Sequence, residues 1–116
     1  MNARDLAICE KFLSLAADDT FEPSFIESKL AKDFKVKEER VRYAAVKTCV
    51  IVILEANRDS PRVREVIERA YGPEAFPTES EIRLVRPRLS RLASLLDRIK
   101  ASHVVDVPYF YYLIKL

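Results

Sequence analysis

Any imidazole chemistry in this chain must run through one residue, because His103 is its only histidine; Arg98 stands five places before it. A guanidinium beside an imidazole can steady developing negative charge while the ring moves a proton. The plainer reading is a helix-terminal His⁺ that complements the helix dipole, with Arg98 solvated. The other candidate groups are weaker. Cys9 and Cys49 are far apart and lack metal-ligand spacing. Asp18-Asp19 and Glu38-Glu39 are adjacent pairs, which do not face each other on a helix. They read as helix-start charges rather than as a metal or acid–base site. Gly72 is the only glycine, which excludes phosphate-cradling loops of the P-loop and dinucleotide types. Neither a metal nor a cofactor is expected.

The elements that would position these groups are almost all helical. Leu6, Cys9, Leu13 and Ala16 recur at spacings of three and four and predict a first helix over 4–17. Pro23 opens a second over 23–34, with Phe25, Ile26, Leu30 and Phe34 expected inward. A third runs over 38–57. Its first half is amphipathic and its second half, Cys49 to Leu54, is apolar all round, which makes 41–56 the expected central pillar. Ser60-Pro61 gives a fourth helix its N-cap and first-turn proline, and Gly72-Pro73 ends it. Val63, Val66, Ile67 and Ala70 are its stripe. Thr78 and Glu81 have capping-box spacing ahead of a fifth helix with a seam of Ile82, Val85, Leu89, Leu92, Leu96 and Ile99. Pro87 should kink that helix rather than end it.

The expected fold is therefore an all-α, compact five-helix bundle-like domain over 1–102, followed by an extended tail over 103–116. DVPYFYYLIKL, 106–116, is dense in aromatic and β-branched residues and reads as a strand with apolar side chains on both faces. No second strand is offered to it. It must close over its own helices or pair with another chain.

Composition bounds the partners. A hydrophobic content of 49% with 33% charged residues is ordinary for a globular domain, and a net charge of +2 does not mark the whole chain as a polyanion binder. The fifth helix is the exception, with Arg83, Arg86, Arg88, Arg91, Arg98 and Lys100 against Asp97. That run reads first as a solvated face and second as a surface for an acidic partner or nucleic acid. The longest apolar run, 44–54, is too short to span a bilayer and contains Lys47. Without a signal peptide at the N-terminus, a cytoplasmic protein is expected, with no membrane insertion.

Three resemblances follow from quoted stretches. Arg98-Ile-Lys-Ala-Ser-His103 resembles the R-x4-to-6-H signature of HEPN-domain ribonucleases, which are small helical proteins. That resemblance implies metal-independent cleavage of RNA, Arg98 stabilising a phosphorane-like charge and His103 handling the proton of a 2′-hydroxyl. Many toxin-type members carry Tyr two residues after the His, where this chain has Val105. IESKLAKDFKVKEERVRYAAV, 26–46, resembles a helix-turn-helix DNA-binding unit, with Lys35 at the turn position usually taken by glycine. Its second helix opens with Glu38-Glu39, which is unfavourable against phosphates, and runs on into the apolar pillar.

The broadest resemblance is to COMM-domain proteins. Asp106-Val107-Pro108-Tyr109 is similar to the D-V-x-W stretch that opens the first COMM strand, with Tyr for Trp. EKFLSLAADDTFEPSFI and ERVRYAAVKTCVIVILEANRD resemble the leading and central helices of that family's N-terminal domain. The chain has no Trp and stops one strand into the COMM domain. The resemblance implies a non-enzymatic scaffold or adaptor in endosomal trafficking. Its protein partners would be met as a homo- or hetero-oligomer through the C-terminal strand. Tyr109, Phe110, Tyr111 and Tyr112 are then the expected contact anchors, with Arg83, Arg86 and Arg91 as a secondary partner-facing set.

Overall fold

A computed structural model describes residues 1–18 and 23–101. Helix α1 (Ala3–Ala16) starts at Asn2, whose side chain accepts the Asp5 N–H at 3.0 Å while the Asp5 carboxylate accepts the Asn2 N–H at 2.9 Å. This reciprocal capping box satisfies two of the N–H groups that a helix start leaves open. Helix α2 (Pro23–Phe34) and helix α3 (Glu38–Ala56) follow, joined by Lys35-Val36-Lys37.

The α2–α3 turn is closed by backbone geometry alone. The Val36 N–H reaches back to the Ala31 carbonyl at 3.0 Å and the Lys35 N–H to the Lys32 carbonyl at 3.3 Å. These are the two bonds of a Schellman motif, which places Lys35 in the left-handed region at φ +55°. Glycine usually sits there because it has no Cβ to crowd the carbonyl. Lys35 is thus held in a conformation that costs a side-chain-bearing residue free energy.

Helix α4 (Pro61–Tyr71) is capped by Ser60, whose Oγ accepts the Val63 N–H at 3.4 Å, and it stops at Gly72 with φ +83°. A short 3₁₀ turn (Pro73–Ala75) leads to Thr78, which caps helix α5 (Glu79–Val85) through a second capping box with Glu81. A 3₁₀ turn at Arg86–Arg88 then passes into helix α6 (Leu89–Ala101). Pro87 has no N–H to give to the carbonyl one turn back, so the ladder tightens locally while the chain stays helical. The expected fifth helix is this one run, bent between α5 and α6. Among the described residues the protein is all-α, as expected; the tail over 103–116 lies outside them.

Helix α3 is the pillar. Val41, Ala44, Ala45 and every residue from Lys47 to Ile53 are buried. Around it, α1 contributes Ile8, Cys9, Phe12 and Leu13, α2 contributes Ile26 and Leu30, α4 contributes Val63 and Ile67, and α6 contributes Leu92, Leu95, Leu96 and Ile99. Two expectations are corrected. Phe25 is 54% exposed rather than inward, because α2 turns the Ile26–Leu30 line to the core and Phe25 lies about 100° away around the helix. Asp18 follows the end of α1 instead of opening a helix.

Candidate interaction surface

The bent run α5–α6 is anchored on one side and charged on the other. Val85, Leu92, Leu95, Leu96 and Ile99 are buried at its base, while Arg83, Arg86, Arg88, Arg91 and Arg98 are exposed. The seam spacing read in the sequence causes this split: apolar residues at three- and four-residue steps leave the intervening positions on the outer face. The arginines are therefore carried by a backbone that core packing holds in place.

Glu10, on α1, is the carboxylate that reaches into this set. One of its oxygens accepts from Arg88 Nη1 and the other faces Arg91 Nε at 3.4 Å. Arg88 and Arg91 are three residues apart, so their guanidiniums stand side by side on one turn and share a single counter-charge. Arg83, Arg86 and Arg98 have no carboxylate partner among the described residues. Of the three arginines expected to face a partner, Arg83 and Arg86 stand open and Arg91 is engaged with Glu10. Arg98 is exposed near the end of α6. His103 lies outside the described residues, as do Tyr109, Phe110, Tyr111 and Tyr112.

The stretch that resembles a helix-turn-helix, 26–46, spans most of α2, the turn at Lys35 and the first half of α3. Glu38 and Glu39 are exposed in the first turn of α3. Arg40 is bound to Asp5 through Nε at 2.9 Å and Nη2 at 2.5 Å, and its guanidinium lies 4.8 Å from the Tyr43 ring centre. Arg42 bonds Glu27 at 3.0 Å. The basic residues at the start of α3 are thus tied to carboxylates of α1 and α2, and the rest of the helix is core.

A buried polar hub forms where α3 meets the segment from Glu74 to Glu81. Lys47, 8% exposed, donates to the carbonyls of Glu74 at 2.9 Å and Phe76 at 3.2 Å and lies 3.7 Å from Glu81 Oε1. Glu81 also accepts the Thr78 N–H at 2.9 Å and the Thr78 hydroxyl at 3.1 Å, and its second oxygen is 3.6 Å from the Met1 ammonium. Burial pushes the Glu81 carboxyl up. The Thr78 hydrogen bonds, Lys47 and the Met1 ammonium together outweigh it and hold the group below the usual glutamate value. The hub joins helices, since every polar atom in it already has a protein partner.

Sequence reasoning did not find Glu10, Asp5 or the role of Lys47. The last had a visible signal, a charge inside an apolar run. Glu10 had none, because its partners come from the far end of the chain. Among the described residues no group of three or more His, Cys, Asp or Glu is placed to hold a metal ion, and no helix is long and apolar enough to cross a membrane. No family model matches the chain, and neither a curated protein nor a solved structure shows significant similarity to it.

Proposed function

We propose that the protein is a non-enzymatic interaction module that meets other proteins through the outer face of α5–α6 and through its C-terminal segment. The observation that carries this reading is the exposed arginine set of α5–α6 on a rigidly packed base. Guanidiniums present planar, multi-donor groups suited to carboxylates, and arginine is enriched where proteins meet. The COMM-like stretch at 106–109 supports the same class and adds the finer expectation of an adaptor that assembles through its C-terminal strand.

The test is the solution mass of the full chain and of a version ending at Ser102, over a range of concentrations. Concentration-dependent association of the full chain, with a folded monomer for the shorter one, is the expected result. The reading is overturned if the full chain cleaves single-stranded RNA in EDTA and His103→Ala abolishes that cleavage, the behaviour of a HEPN ribonuclease.

A further inference from the structure

The Glu10 bridge shows what ligand the arginine face accepts. Its carboxylate gives one oxygen to Arg88 and the other to Arg91, whose side chains are 55% and 63% exposed, while Glu10 itself is 24% exposed. We propose that Arg88 and Arg91 form a docking pair for a carboxylate-bearing segment of a protein partner, and that Glu10 occupies the pair in the free protein as an internal competitor. This deepens the interaction-module reading and rests on it.

Three observations favour an acidic protein segment as the occupant. First, the pair already binds a carboxylate through both oxygens, a geometry in which two guanidiniums on one helical turn share one acid group. Second, Arg83 and Arg86 extend positive charge on the N-terminal side and Arg98 on the C-terminal side, so a segment with several acidic residues meets a charge at each end. Third, Asp97, exposed on α6, and Glu10 break the arginine run. A nucleic-acid backbone carries phosphates without interruption and gains from an unbroken positive track. Separated carboxylates on a peptide can be spaced to clear Asp97 while one of them takes the place of Glu10.

Internal competition has a direction that a purely structural salt bridge lacks. An incoming carboxylate must displace Glu10, so the observed affinity is reduced by the fraction of pairs that Glu10 fills. Removing the Glu10 charge frees both guanidiniums and should tighten binding.

The experiment uses the full chain and a fluorescein-labelled decamer of glutamate, read by anisotropy at about 50 mM salt, where exposed charge pairs are weakly screened. An unlabelled uridine decamer is titrated as a competitor. Glu10→Gln should tighten peptide binding roughly threefold to tenfold, and Arg88→Gln with Arg91→Gln should weaken it by a similar factor. Arg62→Gln with Arg69→Gln, exposed arginines on α4, should leave it within about twofold. Circular dichroism melts of each variant verify folding. The proposal is overturned if Glu10→Gln leaves binding unchanged or weakens it, if the α4 pair matters as much as Arg88 and Arg91, or if the uridine decamer is bound in preference to the peptide. In those cases the solution-mass test still judges the interaction-module reading on its own.

Discussion

Arg40, at the start of α3, holds Asp5, at the start of α1, across thirty-five residues of sequence. The two contributions to this pair are unequal. Asp5 is 2% exposed and also accepts the Asn2 N–H, so it caps its own helix while pairing with a second one. Arg40 is 43% exposed and keeps water on much of its guanidinium. Asp5→Ala removes a cap and a buried acceptor and should cost about 2 kcal/mol, whereas Arg40→Ala should cost about 1 kcal/mol or less. Urea denaturation of the two variants checks the order; a larger loss from Arg40→Ala would contradict it.

Lys47 should be the costliest polar residue to replace. Lys47→Met keeps the aliphatic volume but leaves the carbonyls of Glu74 and Phe76 without their donor and Glu81 without a cation. A loss of about 2–3 kcal/mol is expected from these unmet groups. Combining it with Glu81→Gln should cost less than the sum of the single changes, because both act on one network. Strict additivity in denaturant would show that the hub does not work as a unit.

The lowered pKa of Glu81 makes stability depend on acid in a defined direction. A carboxyl whose folded pKa lies below its unfolded value of about 4.3 contributes stability that is fully present above that value. The contribution fades as pH falls through the folded pKa. Melting temperatures taken between about pH 6 and pH 2 should therefore fall more steeply for the natural protein than for Glu81→Gln. Parallel curves would assign the acid sensitivity to other carboxylates.

Lys35→Gly should stabilise the protein, by about 1 kcal/mol at most, since φ +55° costs glycine nothing and the unfolded chain regains some of that gain. Lys35→Ala keeps the Cβ and should change little. Equal effects of the two substitutions in thermal unfolding would place the strain elsewhere.

Local signals were legible in the sequence wherever cause and effect lie within a few residues. Ser60-Pro61, the Thr78–Glu81 box, the stop at Gly72 and the bend at Pro87 all depend on neighbouring backbone groups, and the structure has each of them. The pillar was legible because no helix apolar all round can sit at a surface. Lys35 was correctly placed at the turn. What sequence could not give were the pairs Arg40–Asp5 and Arg88–Glu10, separated by 35 and 78 residues. Those depend on how α1 lies against α3 and α6, which no spacing rule encodes. Phe25 was misplaced for a related reason: four apolar residues on α2 define a broad stripe, and only the neighbouring helices decide which part of it is covered.

Residues 72–78 have the composition of a surface loop, with two prolines, Pro73 and Pro77, and the only glycine of the chain. Yet the Lys47 ammonium, rooted in the middle of the pillar, holds two of that segment's carbonyls. The loop therefore belongs to the same cooperative unit as the core. Its backbone should become accessible to a protease only when α3 itself loosens, so that cutting within 72–78 would report global unfolding, where a loop of such composition would ordinarily report local fraying.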